Sequence, residues 1–184
     1  MGLLDMVLSV ENAGVLKQLG TTFGIGEAET KNAVTQMLPA LSRGLAQNSS
    51  KPDGFAALMS ALSGGGHDKY LDDPQAVGRA ETITDGNKIL GHLLGSKDVS
   101  RQVASHAANE TGMDVGIMKK MLPVVATMAM GALSKQSATS GIASSMQQGG
   151  QEPTGAMGML TSFLDADHDG SAMDDILGMA RKLF

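Results

Sequence analysis

The segment that decides the fold reads Val34-Thr35-Gln36-Met37-Leu38-Pro39-Ala40-Leu41-Ser42-Arg43-Gly44-Leu45. Its large apolar residues recur at steps of three and four, which places them on one face of an α-helix. Pro39 lies inside this run, where a proline removes an amide proton and clashes with the preceding turn. We therefore predict a long amphipathic helix that is either kinked at Pro39 or split near Leu38.

A second segment repeats this pattern further along the chain. Met121-Leu122-Pro123 follows Met37-Leu38-Pro39 at a distance of 84 residues. The leading glycines, Gly24 and Gly112, are 88 residues apart, and the four-residue difference is close to one helical turn. Each copy is followed by a further apolar segment and a cluster of glycines. A duplicated multi-helix unit with Pro-kinked helices explains this pattern, and chance recurrence of Leu-Pro is the alternative.

Glycine-rich segments divide the chain into four predicted parts. The predicted boundaries are a first helical repeat over residues 1–66, a linker over 67–83, a second helical repeat over 84–150 and a C-terminal helix-loop-helix over 151–184.

Helix ends are predicted from capping residues within these parts. Gly24, Gly95 and Gly112 are expected to end helices, because glycine readily adopts the left-handed conformation found there. Ser50 is the predicted N-cap of a helix that starts near Pro52. Thr84 or Asp85 is the predicted N-cap of the next long helix.

The composition indicates an all-α protein with about eight or nine helices. Among 184 residues there are 14 Met, no Trp and only 3% aromatic residues, so Leu, Met, Val, Ile and Ala must build the core. Runs of β-branched residues with period-two alternation are nearly absent. The chain has no Cys, which excludes disulfides and thiolate metal sites. A net charge of −5 with scattered Lys and Arg argues against nucleic-acid binding.

A candidate calcium loop lies near the C-terminus. Asp165, Asp167 and Asp169 alternate ahead of Gly170, as in the first half of an EF-hand loop, where carboxylates converge on one cation and glycine allows the sharp turn. Position twelve is Ile176, which cannot bind a metal. The predicted ligands are the side chains of Asp165, Asp167 and Asp169, the Ser171 carbonyl, and Asp174 as the closing ligand, with Asp175 as its alternative. The competing interpretation is a capped, Asp-rich turn between two helices.

Two resemblances bear on this interpretation. An acidic residue at position ten resembles the shortened calcium loops of some bacterial surface domains of the Excalibur type. The segments Gly86–Gly95, Met121–Leu133 and Leu164–Ala180, together with the opening Met1–Asp5, resemble a bacterial family of unknown function that is related to the YidB-like proteins. This second resemblance covers most of the chain. It implies an all-helical bacterial protein and no particular reaction.

The sequence lacks three familiar motifs of catalytic sites. The chain has no Gly-x-Ser-x-Gly elbow, no P-loop and no dinucleotide fingerprint, so we expect a protein that is not an enzyme. His92 and His106 lie on consecutive predicted helices and could meet, but a metal site would need a third ligand such as Asp85 or Asp98. Two histidines on polar faces are the simpler expectation.

The expected role is therefore a helical interaction or structural module that binds an unknown protein partner or a second copy of itself. No signal peptide and no apolar run close to ~20 residues are seen, so we expect a cytoplasmic protein without a transmembrane segment, with non-classical export as the alternative. The competing function is a lipid- or membrane-surface binder that uses exposed Met and Leu faces. The negative net charge disfavours attraction to anionic lipid.

Overall fold

The computed structural model describes residues 3–64, 66 and 69–139. Within these ranges the chain forms eight α-helices and two short 3₁₀ helices and contains no strand, which confirms the predicted all-α class. The α-helices are Leu3–Val7 (α1), Ala13–Phe23 (α2), Glu27–Ser49 (α3), Pro52–Gly64 (α4), Lys69–Asp72 (α5), Ala80–Leu94 (α6), Lys97–Thr111 (α7) and Val115–Thr139 (α8), and the 3₁₀ helices are Val10–Asn12 and Pro74–Ala76.

Helix α8 lies at the centre of the fold. Every residue from Met121 to Leu133 is buried, so this part of the helix is enclosed on all sides. All seven other α-helices of the described ranges pack against it. Three of its methionines, Met118, Met121 and Met128, are fully buried. Their flexible side chains can fill the irregular spaces where several helices meet one central helix.

The burial of α8 explains its composition. By length and composition, Val115–Ser137 is the one stretch of the described ranges that could cross a membrane, with a mean hydropathy of 1.3. However, 72% of the tested window is buried inside the protein. A helix enclosed by other helices is apolar all round for this reason. The finding is consistent with the expectation that the chain has no transmembrane segment.

Helix α3 is amphipathic, as its sequence predicts. Its buried face includes Val34, Met37, Leu38 and Leu41, while Pro39 is exposed on the opposite face. The helix runs unbroken through Pro39, and α8 likewise runs through Pro123. A split near Leu38 is therefore wrong, and the kink stays a prediction.

Three of the predicted helix ends are confirmed. Gly24, Gly95 and Gly112 are the C-caps of α2, α6 and α7, with φ angles of 71°, 72° and 71°. These left-handed conformations strain residues that carry a Cβ atom, so glycine is favoured at all three positions.

The predicted N-caps are wrong. Helix α6 begins at Ala80, so Thr84 lies inside it and its hydroxyl donates to the Ala80 carbonyl at 2.8 Å. Hydroxyl side chains inside helices commonly bond back to the preceding turn in this way. Asp85 is also inside α6, where its carboxylate accepts a tyrosine hydroxyl. Ser50 is the C-cap of α3, and its own hydroxyl donates to the Ala46 carbonyl.

Two glycines allow helices to approach closely at the core. A Cβ atom on Gly86 of α6 would lie 2.1 Å from the Pro123 carbonyl oxygen of α8. A Cβ atom on Gly44 of α3 would lie 2.5 Å from the Leu93 carbonyl oxygen of α6. Both distances are far inside van der Waals contact, so a side chain at either position would push backbones apart.

The order of elements is the same around the two prolines. In each case a helix ends on a left-handed glycine and is followed by a long helix that contains the proline. Pro39 lies 12 residues after Glu27, the first residue of α3, and Pro123 lies 8 residues after Val115, the first residue of α8. The four-residue difference between the two segments therefore lies between the start of the helix and the proline. The burial differs, because Pro39 is exposed and Pro123 is enclosed. The duplication itself and the predicted boundaries at residues 66, 83 and 150 stay predictions.

Candidate functional site

The predicted calcium ligands lie outside the described residues. Asp165, Asp167, Asp169, Ser171 and Asp174 all fall after residue 139, so the calcium loop stays a prediction. Within residues 3–64, 66 and 69–139, no group of three or more His, Cys, Asp or Glu residues could hold a metal ion.

His92 and His106 do not form such a group. Both side chains are exposed, His92 on α6 and His106 on α7. The simpler expectation of histidines on polar faces agrees with this placement.

A polar cluster, here called the Tyr70 clasp, joins α5 to α6 and consists of Lys69, Tyr70, Glu81, Asp85 and Lys88. Tyr70 is 3% exposed, and its hydroxyl donates a 2.6 Å hydrogen bond to Asp85 Oδ2. Lys88, one turn further along α6, donates to the other carboxylate oxygen at 3.2 Å. Both oxygens of Asp85 are thus engaged, one across the helices and one within α6.

Lys69 completes the clasp from the α5 side. Its Nζ atom lies 5.0 Å from the centroid of the Tyr70 ring, within the range of a cation–π contact. The same Nζ donates to Glu81 Oε1 at 3.1 Å. Consecutive residues of α5 are therefore tied to the first turn and to the middle of α6.

The surroundings of the clasp shift the pKa values of three of its residues. Burial, helped by the hydrogen bond to Asp85, raises the pKa of Tyr70 to about 12. The hydrogen bonds from Tyr70 and then Lys88 lower the pKa of Asp85. The hydrogen bond to Glu81 is the largest cause that raises the pKa of Lys69. Near neutral pH, Tyr70 keeps its proton and Asp85 stays ionised, which suits a structural hydrogen bond better than proton transfer.

Further ion pairs extend this polar surface beyond the clasp. Asp72, at the end of α5, pairs with Lys135 of α8. Asp73 caps the 3₁₀ helix by accepting the Gln75 amide at 2.9 Å, and its other oxygen accepts from Arg79 at 3.1 Å. Asp72 is thus bonded to α8, and Asp73 is bonded to the 3₁₀ helix and to the residue before α6.

The sequence pattern predicted a linker over residues 67–83 and did not reveal the Tyr70 clasp. One local signal was available, since Asp73 followed by Pro74 has the form of an N-cap with proline at the first helical position. Tyr70 is also the only tyrosine of the chain. The contact between Tyr70 and Asp85 joins two helices that are separate in the sequence, and no local sequence pattern indicates it.

Comparison with known proteins gives a family and no individual relative. A family model described as a bacterial protein of unknown function (DUF937) matches residues 5–136 and residues 136–182. No curated protein matches the chain. No solved structure matches it either.

Proposed function

The chain belongs to the DUF937 family of bacterial proteins of unknown function, and from this premise we propose that it is a non-enzymatic helical scaffold whose C-terminal loop binds calcium weakly. The scaffold comprises the helices packed around α8. The loop comprises Asp165, Asp167, Asp169, Ser171 and Asp174. The relation to the YidB-like proteins is part of the proposal.

The observation that carries the scaffold role is the position of α8. This helix contacts all seven other α-helices of the described ranges, and the chain continues from its end at Thr139 towards the candidate loop. Because the candidate loop follows α8 in the sequence, we propose that calcium binding affects the core through this helix.

The ionisable groups support a structural role for the described part. In that part the pKa is shifted for Glu27, Lys69, Tyr70 and Asp85. Glu27 pairs with Lys31 within α3 at 2.8 Å, and the other three belong to the Tyr70 clasp. Strong shifts often mark active sites, but structural contacts shift pKa values as well. Here burial is the main cause for Tyr70, and hydrogen bonds within or between helices are the main cause for the other three.

The calcium site is proposed from its ligand chemistry. Calcium prefers six to eight oxygen ligands, and five acidic residues within eleven positions supply most of them. Ile176 replaces the bidentate glutamate that closes a standard loop, so water must complete the shell. We expect an affinity on the order of 10⁻⁴–10⁻³ M. In the cytoplasm, which is the proposed location, such a site would be largely empty, and outside the cell it would be filled.

Isothermal titration calorimetry tests the binding directly. Calcium is titrated into the full-length protein and into Asp165→Ala/Asp169→Ala, which removes two predicted ligands. Asp98→Ala is the control, because it removes an exposed carboxylate that pairs with Arg101 on α7. Binding heat in the wild type and in Asp98→Ala, with none in the double variant, supports the proposal. Equal heats in all three proteins would show that the loop is only a turn.

The lipid-surface alternative has less support in the described residues. Where the burial of side chains is described, the exposed large apolar residues are Val99 at 39% and Val115 at 36%, and they lie in the first turns of two different helices. Membrane-surface helices usually present a continuous apolar face with basic residues beside it. The methionines of α8 that could have formed such a face are buried in the core. A protein partner or a second copy of the chain is therefore the preferred partner class.

A further inference from the structure

The segment from Lys69 to Arg79, here called the strap, crosses the surface of the helical core. It consists of α5, the 3₁₀ helix and the turn that leads into α6. Its α5 part packs on α8, and its 3₁₀ part packs on α2. A Cβ atom on Gly14 would lie 3.6 Å from Pro74, and one on Gly78 would lie 2.8 Å from Thr22. The second half of the strap therefore follows α2 from near its start to near its end.

The apolar attachment of the strap is small. Four of its side chains are buried, namely Tyr70, Leu71, Ala76 and Val77. The long helices α3 and α8 bury many more, so the strap holds a minor share of the core. Elements with few buried apolar contacts open at a lower free energy than the whole protein.

Three of the polar attachments of the strap are exposed ion pairs. The pairs Lys69–Glu81, Arg79–Asp73 and Lys135–Asp72 join side chains that are between 37% and 67% exposed. Exposed pairs of this kind contribute little, because water and salt screen them. Two hydrogen bonds are less exposed. The Tyr70 hydroxyl donates to Asp85 in a partly buried setting, and the buried Thr82 hydroxyl donates to the Ala76 carbonyl at 2.7 Å.

A glycine with positive φ lies near the end of the strap. Gly78 has φ of 86°. The observed conformation favours glycine here for two reasons, because a residue with a Cβ atom would be strained at this φ and its Cβ atom would also clash with Thr22. Glycine imposes the smallest barrier when the backbone changes conformation, so this position is suited to be a hinge.

We propose that the strap is a conformational device that opens as one unit about Gly78 while the helices around α8 stay folded, and that the Tyr70–Asp85 bond is its latch. Opening uncovers the sides of α8 and α2 on which the strap lies. A four-residue helix cannot persist once it is released, because isolated helices of this length are unstable in water. The opened strap is therefore an extended, exposed segment.

Native-state hydrogen exchange by NMR tests this proposal on the full-length protein. The reporters are the amides of Asp73, Ala76, Val77 and Arg79, which bond to carbonyls within the strap. We expect them to exchange faster than the amides of α8 and with little dependence on low concentrations of urea, as local opening predicts.

Two variants and a control locate the latch and the hinge. Tyr70→Phe keeps the buried ring and removes the hydroxyl. It should speed exchange of the reporters by roughly tenfold, the equivalent of about 1.4 kcal/mol for a partly buried bond to a charged group. Gly78→Ala disfavours the closed conformation and should act on the same amides. Lys31→Met removes the comparable exposed pair with Glu27 on α3 and should leave the strap unchanged.

Two results would overturn the proposal. If the reporters exchange only with the α8 amides and with the same urea dependence, the strap opens only when the protein unfolds. If Tyr70→Phe speeds exchange of the α8 amides but leaves the reporters unchanged, opening of the strap does not break the Tyr70–Asp85 bond, and the bond is not a latch.

Discussion

At Gly86 the backbone of α6 lies directly against the backbone of α8 at Pro123. Gly86→Ala should force these helices apart and lower the free energy of unfolding by about 1–3 kcal/mol, the usual cost of overpacking a core. The matched control is Gly91→Ala on the same helix, where a Cβ atom would meet nothing within 4 Å. That change should raise stability by about 1 kcal/mol through helix propensity. Urea denaturation measures both, and effects of the same sign would contradict the close approach.

The Tyr70–Asp85 bond should give a defined pH dependence. The folded pKa of Asp85 is lowered from 3.8. Its contribution to the free energy of unfolding is therefore fully present above pH 3.8 and is lost as the pH falls through the folded pKa. The folded pKa of Tyr70 is raised from 10.0 to about 12. Its contribution to the free energy of unfolding is therefore fully present below pH 10 and is lost as the pH rises through about 12.

Tyr70→Phe should therefore cost about 1–2 kcal/mol of stability between these limits, and the cost should shrink on either side of them. Urea denaturation of both proteins from pH 3 to pH 11 measures the difference. A cost that does not change over this range would mean that the bond is not formed.

At the scale of single residues, the sequence predicted backbone conformation better than contacts. Gly24, Gly95 and Gly112 were identified because a left-handed helix end selects glycine locally. The clasp was missed because Asp85 and Tyr70 meet only after α5 folds onto α6. Asp85 instead looked like a helix cap, which is the commoner local role of aspartate.

At the scale of elements, the two proline-containing helices differ in what surrounds the proline. Pro39 faces solvent, so Pro39→Ala would restore a helical amide without removing any buried group and should raise stability by about 1–3 kcal/mol. Pro123 is enclosed and touches Gly86, so Pro123→Ala gains the same amide but loses buried packing. Pro123→Ala should therefore raise stability less than Pro39→Ala does, or lower it.

Thermal and urea denaturation of the two variants measure this contrast. Equal gains would mean that the enclosure of Pro123 contributes nothing to the packing of α8.

Helix periodicity predicted the helices around both prolines. The boundaries of the helices and the neighbours of each helix were harder to predict from the sequence. Helix α6 begins at Ala80 instead of near Thr84, because its first turn follows Gly78 and Arg79 and uses no side-chain cap that a pattern could reveal. The run of apolar residues from Met121 to Ala126 contrasts with the polar face of α3 and is typical of a helix enclosed on all sides. Which helices enclose it depends on the whole packing arrangement.

At the scale of the whole molecule, composition was sufficient for the fold class. Scarce aromatics, many Met and Ala residues and no alternating β-branched runs predict an all-α protein, and the described ranges agree. The strap was predicted as part of a linker because it follows a run of glycines and contains acidic residues, which are typical of loops. Its four buried residues are too few to produce a periodic pattern. The candidate calcium loop depends on sequence alone.

The central claim is that calcium bound at the C-terminal loop stabilises the scaffold, and thermal unfolding with and without 10 mM calcium tests it most directly. With a dissociation constant of about 1 mM, binding to the folded state adds about 1.4 kcal/mol, which raises Tm by roughly 3–6 °C for a chain of this length. We expect this rise in the wild type and in Asp98→Ala, and no rise in Asp165→Ala/Asp169→Ala. An equal shift in all three proteins, or no shift in the wild type, would contradict the claim.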